Sequence, residues 1–233
     1  TIFSLTPAGV LTPLFTFNGD TYGGASVAAL VPGVDGSFYG TTPNGGSNYC
    51  GNVFKLTPDG RLTNLYSFLR DTSRFPPVGN HPVAALVRGT DGAFYGTTKH
   101  STIMGLASTG TMFNITTNGV LTSLYAFNSA NHPPDGFFPE ASLIQGSDGN
   151  FYGTTYGGGA NGYGTVFRAT PGGVVTTLVN FDGFDTGAQP ESALVAGADG
   201  SFYGTTTAGG LGGHGTVFRL SFAPQIITQP TNQ

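Results

Sequence analysis

A chain of 233 residues can bury a sizeable core, as one large β domain or as two smaller ones, and its 39 Gly and 15 Pro disfavour long helices. A content of 19 Phe and 10 Tyr argues against disorder, because it supplies more apolar and aromatic surface than disordered segments carry. The net charge is −4 with eight basic residues scattered singly, which argues against nucleic acid as a partner, and no apolar run approaches the roughly 20 residues of a membrane-spanning helix.

Taken in chain order, residues 1–6 (TIFSLT) read as a strand, followed by a turn and a second strand over 11–17. An apolar run at 28–31 then leads through a G-x-D-G turn into Phe38-Tyr39-Gly40-Thr41-Thr42. The octet D-G-x-F-Y-G-T-T begins at Asp35, Asp91, Asp148 and Asp199, at spacings of 56, 57 and 51 residues, the length of one propeller blade. Each octet is followed by a second motif, Gly51-Asn52-Val53-Phe54-Lys55-Leu56-Thr57 in the first unit, with variants that start at Gly110, Gly164 and Gly215. A tight turn comes next, clearest as Thr57-Pro58-Asp59-Gly60, where Pro presets φ and Gly tolerates a left-handed backbone. The stretch over 62–68 closes the unit.

One unit thus predicts four antiparallel strands: A (28–31, 84–87, 141–144, 192–195), B (FYGTT), C (TVFKLT) and D (LTNLYSF). Period-2 alternation puts Leu62, Tyr66 and Phe68 on one face of D and Leu65 on the other, as a sheet packed between two others needs. The predicted fold class is an all-β propeller of four-stranded antiparallel blades in a single domain over residues 1–222. Its units are 27–68, 83–127, 140–181 and 191–222, with 1–17 completing the last blade and closing the ring. The copy of strand C at 1–6 is then surplus, an extra edge strand or one end of a longer array.

The motifs G-x-D-G-x-F-Y-G-T-T and G-T-V-F-K/R-L-T-P-x-G-x-L-T-x-L-Y-x-F resemble those of the Gloeo/Verruco (GloVer) tandem-repeat family over nearly the whole chain. The resemblance implies bacterial secreted or surface-anchored repeat proteins with no assigned enzymatic activity. Departures are Lys99-His100-Ser101-Thr102-Ile103-Met104 in place of the Gly-Gly step, and Val179-Asn180 in place of Leu-Tyr-Ser. The tail over 223–233 leaves the repeat and resembles the opening of bacterial immunoglobulin-like modules, so it is expected to be a linker toward a further domain. Because Thr1 lies inside a repeat, a processed or excised segment of a larger secreted protein is expected.

In a meander, the A–B and C–D turns lie on one rim and the B–C and D–A loops on the other. The first pair is nearly identical among units and the second varies, so binding is expected on the variable rim. That rim carries Tyr22, Tyr49, Phe75, Phe137, Phe138, Tyr156, Tyr163 and Phe184, rings flanked by Gly, Asn or Asp that suit a glycan or a surface protein. Packing of the same rings under their own loops is the competing reading.

Glu140 and Glu191 share one position before strand A, where the other units have Val27 and Val83, and form the only candidate pair of catalytic carboxylates. His81, His100, His132 and His214 sit in loops of the same rim without metal-ligand spacing. Each Asp of the D-G turns is a single carboxylate in ordinary turn chemistry, and Lys55, Arg168 and Arg219 read as solvated or edge-protecting charges. Cys50 reads as a small loop residue, and Gly157-Gly158-Gly159 lacks the Lys and Ser/Thr of a phosphate loop. No metal or cofactor is expected. The resulting expectation is a noncatalytic extracellular scaffold that binds a glycan or protein through its loops or spaces other domains; the alternative is a carbohydrate-active hydrolase or lyase using Glu140 and Glu191.

Overall fold

A computed structural model of the chain describes residues 1–19, 23–24, 28–69, 77–101, 109–127 and 135–221. Strands β1 (Ile2–Leu5) and β2 (Leu11–Phe15) form a hairpin. The first four-stranded sheet contains β3 (Val31–Pro32), β4 (Phe38–Thr42), β5 (Asn52–Leu56) and β6 (Leu62–Ser67), paired antiparallel in chain order. The second repeats it with β7 (Val87–Arg88), β8 (Phe94–Thr98), β9 (Thr111–Ile115) and β10 (Leu121–Ala126).

Between the second and third sheets lies a loop strand, β11 (Gly136–Phe137). Next come β12 (Ile144–Gln145), β13 (Phe151–Thr155), a second loop strand β14 (Gly157–Gly158), β15 (Thr165–Ala169) and β16 (Val175–Asn180). Here β12, β13, β15 and β16 make the third sheet, and β14 pairs with β11. The last sheet has three strands, β17 (Val195–Ala196), β18 (Phe202–Thr205) and β19 (Val217–Leu220).

Residues 1–17 do not complete that last sheet. Strand β2 takes β1 as its partner, from Ile2↔Phe15 to Leu5↔Leu11, while β19 pairs only with β18 among the described residues. The turn between β1 and β2 is held by Thr6 N donating to Val10 O at 3.0 Å, so the local pairing closes a short loop, whereas ring closure joins strands about 200 residues apart. The expectation that residues 1–17 complete the last blade is corrected accordingly: no closed sheet forms among the described residues.

Strand A is also shorter than expected, two residues in each unit, because the preceding leucine serves the core instead of the ladder. A Cβ added at Gly40, Gly96, Gly153 or Gly204 would meet the Cδ2 of Leu30, Leu86, Leu143 or Leu194 at 2.8–3.0 Å. The strand-B glycine is the seat of that leucine.

Strand D departs from simple alternation. The register of β5 with β6 shifts between Val53↔Tyr66 and Phe54↔Asn64, so Leu65 is the extra residue of a β-bulge. The same shift falls at Leu14, Leu124 and Leu178. Leu65, Tyr66 and Phe68 therefore pack together toward the following sheet and Leu62 toward the preceding hairpin, which corrects the predicted grouping of Leu62 with Tyr66 and Phe68. The bulge has a partner in the next unit: a Cβ on Gly60, Gly119 or Gly173 would lie 2.5–2.8 Å from the carbonyl oxygen of Leu14, Leu65 or Leu124. Only glycine, at φ near +89, fits that turn position.

The sheets stack face on face with a recurring set of side chains at their interfaces. Tyr39 stacks on Phe94 at 4.2 Å, Tyr95 on Phe151 at 4.0 Å, and Tyr152 meets Phe202 at 4.7 Å. The Phe that ends each strand D meets the Phe of the next strand C edge-on: Phe17–Phe54, Phe68–Phe113, Phe127–Phe167 and Phe181–Phe218, at 5.0–5.7 Å. Burying each such ring contributes roughly 1.5–3 kcal/mol, which makes these interfaces the core of the molecule.

Candidate functional site

The uniform rim is fully committed to structure. In each G-x-D-G turn the aspartate accepts the N–H two residues on and the hydroxyl of the strand-B tyrosine. The pairs are Asp35–Tyr39 (3.0 Å), Asp91–Tyr95 (2.7 Å), Asp148–Tyr152 (2.8 Å) and Asp199–Tyr203 (2.9 Å). Lys55 adds an ion pair to Asp35 at 2.7 Å and Arg219 one to Asp199 at 3.0 Å, so these two cations brace the turns and are not merely solvated. The hydrogen bond from Lys55, with help from Ser37 and Tyr39, lowers the Asp35 pKa to about 2. These carboxylates are occupied by turn donors.

The variable rim is built differently. The ends of the last three D–A loops zip onto the starts of the B–C loops that follow them: Asn80 bridges His100, β11 pairs with β14, and Ala188 bridges Ala208. At the centre of each zip sits a non-glycine residue with left-handed backbone, His81 (φ 56), Phe138 (φ 58) or Gln189 (φ 58), each followed by proline. Such a conformation costs roughly 1–2 kcal/mol and persists only where surroundings over-determine it. Here two backbone hydrogen bonds do so. His81 N donates to Cys50 O of the preceding unit at 2.8 Å, and His81 O accepts from Lys99 N at 3.0 Å. Phe138 likewise ties Thr109 to Tyr156, and Gln189 ties Tyr163 to Thr207. The three residues thus staple one unit's loops to the next.

A glycine in each D–A loop makes the approach possible. Cβ atoms on Gly23, Gly79, Gly136 and Gly187 would fall 1.6–2.4 Å from the Oγ1 of Thr42, Thr98, Thr155 and Thr206, the second Thr of each F-Y-G-T-T. The loops therefore rest directly on the strand ends.

Two of the staples belong to one cluster of rings. The His81 and His100 rings lie 5.4 Å apart, His100 and Phe138 5.5 Å, and Phe137 and Phe138 4.9 Å. Beside them Lys99 Nζ pairs with Glu140 Oε1 at 3.0 Å. Burial, then the neighbouring His81 and Lys99, hold the His100 pKa below the usual imidazole value, against a smaller opposing pull from Glu140. The His100 Nδ1 is buried with no hydrogen-bond partner among the described residues. Near this cluster the hydroxyl of Tyr125 donates to the buried Asp135, and burial together with that bond drives the Tyr125 pKa far up.

Of the residues expected on this rim, Phe137 and Phe138 lie in the cluster, and Phe137 covers Gly157 so closely that a Cβ there would sit 2.5 Å from the ring. Tyr156 is half-buried and reaches the cluster through its N–H to Phe138 O at 3.0 Å. Tyr163 and Phe184 are exposed in the next pair of loops, where Tyr163 rests on Gly183. Tyr49 is exposed at φ 55. Tyr22, Phe75 and His132 lie outside the described residues, as does the tail over 223–233.

Glu140 is half-buried and engaged by Lys99, whereas Glu191 is exposed. Among the described residues no group of three or more His, Cys, Asp or Glu side chains is placed to hold a metal ion. Sequence reasoning missed the staples and Lys99. The signals were present: a residue-Pro step at the same place in three loops, and a departure from Gly-Gly at the positions that supply Lys99 and His100.

The Gloeobacter/Verrucomicrobia repeat matches residues 1–144 and again 73–229. No functionally curated protein sequence matches the chain. Among solved structures, virginiamycin B lyase from Staphylococcus aureus superposes with a TM-score of 0.55 at 17% identity, over 93% of this chain and 61% of that one. An extracellular domain from B. thetaiotaomicron, of a protein named as a one-component system, gives 0.59 at 12% identity over 98% of this chain and 27% of that one. The periplasmic gluconolactonase of Pseudomonas aeruginosa gives 0.51 at 16% identity, over 97% and 65%. The chain spans about three-fifths of the length of the lyase, and at these identities the likeness is one of fold.

Proposed function

The chain belongs to the Gloeobacter/Verrucomicrobia repeat family, and from that premise we propose that it is a noncatalytic extracellular or cell-surface scaffold whose variable rim binds a glycan or a surface protein. The observation that carries this reading is the stapled ring cluster of His81, His100, Phe137 and Phe138. Strained backbone at His81 and Phe138, each fixed by two hydrogen bonds, holds two of these rings in place before any ligand arrives, which lowers the ordering cost of binding. Ring faces offer stacking to sugar rings or aliphatic side chains, and the adjacent Lys99–Glu140 pair offers a donor and an acceptor to hydroxyls or backbone groups. The structural neighbours named as extracellular and periplasmic support a location outside the cytoplasm. A glycan and surface-protein array probed with the purified chain tests the reading: retention of at least one class is expected, and no retention leaves only a spacer role.

A second reading, as a lyase or hydrolase, draws on neighbours named as virginiamycin B lyase and gluconolactonase and on the half-buried carboxylate of Glu140. Turnover of a carbohydrate, gluconolactone or virginiamycin B, lost in Glu140→Gln, would favour it. Unchanged turnover in that variant would remove Glu140 from any such chemistry.

A further inference from the structure

A second surface of the variable rim lies where the third and fourth sheets meet, and the three loops that build it, over 156–164, 181–191 and 207–215, are described throughout. It carries two rings that belong to none of the buried clusters. Phe184 is 73% exposed and Tyr163 41%, whereas Phe181 in the same loop and Phe167 in the adjoining strand are 1% exposed.

Both rings are nevertheless held firmly. An added Cβ on Gly183 (φ +79) would lie 2.8 Å from Cε2 and Cζ of Tyr163, so this ring rests on bare backbone while the rest of it stays open to solvent. Its carbonyl accepts from Gln189 N at 2.9 Å. Under Phe184, Asp182 Oδ1 accepts from Phe184 N at 2.9 Å, Thr186 N at 3.0 Å and Thr186 Oγ1 at 2.8 Å. Gly183 N donates to Gly187 O at 3.0 Å, and Gly210 N of the fourth unit donates to Phe184 O at 2.6 Å. A large ring shown to water on so tied a loop is a ready contact surface, because little backbone freedom is left to lose on binding.

Charge selects the partner. The three loops carry Asp182, Asp185 and Glu191 and no Lys or Arg. None of these carboxylates forms an ion pair among the described residues, whereas the stapled cluster holds a cation of its own in Lys99. An anionic ligand is therefore disfavoured here, and a cation with a flat apolar face fits best. A guanidinium has that form: it stacks on aromatic faces and pairs with a carboxylate through two parallel N–H bonds.

We propose that the Tyr163 and Phe184 surface binds an arginine-bearing segment of a partner protein, with the rings stacking on the guanidinium and Asp182 and Asp185 supplying the carboxylates. The site is separate from the cluster of His81, His100, Phe137 and Phe138 and stands whether or not that cluster takes a ligand.

Chemical-shift titration of the purified chain with an acetylated, amidated pentapeptide of arginine tests this, beside the matching pentapeptides of lysine and glutamate and neutral cellopentaose. The arginine peptide should shift the resonances of these loops and bind more tightly than the lysine peptide, and the glutamate peptide should leave them unmoved. Phe184→Ala should weaken arginine-peptide binding about fivefold. Asp185→Asn should weaken it about threefold and reduce its salt dependence. Both positions are exposed, so circular dichroism should stay unchanged. Phe138→Ala should retain wild-type affinity for this peptide, which separates the site from the ring cluster. Absence of binding by the arginine peptide overturns the proposal, as does equal binding of the lysine peptide. Unchanged affinity in Phe184→Ala overturns it too, since that marks general attraction to a chain of net charge −4. A response of these loops to cellopentaose alone does the same, because the rings are then a sugar platform.

Discussion

The hydroxyl of Tyr95 donates to Asp91 at 2.7 Å while the ring of Tyr95 stacks on Phe151 of the following unit at 4.0 Å. One side chain therefore fixes the turn of its own sheet and the contact to the next. Tyr95→Phe removes only the first of these, and a loss of about 1 kcal/mol is expected. Tyr95→Ala removes both at a fully buried position, with an expected loss of about 3–5 kcal/mol. Urea unfolding of the two variants checks the ratio.

The same locks predict sensitivity at both ends of the pH scale. Asp35 falls from an ordinary 3.8 to about 2 through the Lys55 hydrogen bond, and Asp199 is lowered by the Ser201 N–H and the Tyr203 hydroxyl. Burial pushes Asp148 up, but the hydrogen bonds from Asn150 and Tyr152 outweigh it and its pKa is lowered. A depressed carboxylate contributes stability that is complete above its unfolded pKa and is lost as pH falls toward its folded one, here between about 4 and about 2. Tyr95 and Tyr152, raised by burial and by their aspartates from 10.0 to about 12, contribute stability that is lost as pH rises through that interval. Thermal melts across pH should show a plateau bounded by these two declines, and Lys55→Met should shorten the acid side.

Glycine positions separate backbone strain from collision. Gly92 (φ +85) has nothing within 4 Å of an added Cβ, whereas Gly79 (φ +79) would place it 2.0 Å from Thr98 Oγ1. Gly92→Ala should cost about 1–2 kcal/mol from the left-handed backbone alone. Gly79→Ala should cost about 1–3 kcal/mol more and loosen the loop that carries His81. Chemical denaturation of both, read side by side, checks the difference.

How much of this was legible in the sequence follows from the range of each interaction. The four D-G-x-F-Y-G-T-T octets and their hairpin turns specify local pairings, so strands B, C and D fell where the repeat placed them, and the rim assignment followed. Leu30 and its equivalents read as strand in the sequence, because an apolar run does not reveal that its leucine fills the space above Gly40. The bulge at Leu65 escaped period-2 reasoning because its cause lies in the next unit, where Gly60 and its repeats receive the bulge carbonyls. The partner of residues 1–17 is not legible in the repeat, because spacing alone carries no cost for long-range closure. Phe137 and Phe138 are legible as candidate rings, but their union with His81 and His100 depends on left-handed backbone at His81 and Phe138 that composition does not announce.

Function assigned to the variable rim is tested most directly by comparing two variants for the ligand that the array identifies. Phe138→Ala removes a ring from the stapled cluster, whereas Asp59→Asn alters an exposed turn on the opposite rim. Titration calorimetry should show affinity weakened at least about tenfold by the first and unchanged by the second, a difference of about 1.4 kcal/mol. Equal affinity in Phe138→Ala and the wild type, or a loss confined to Asp59→Asn, would contradict the account.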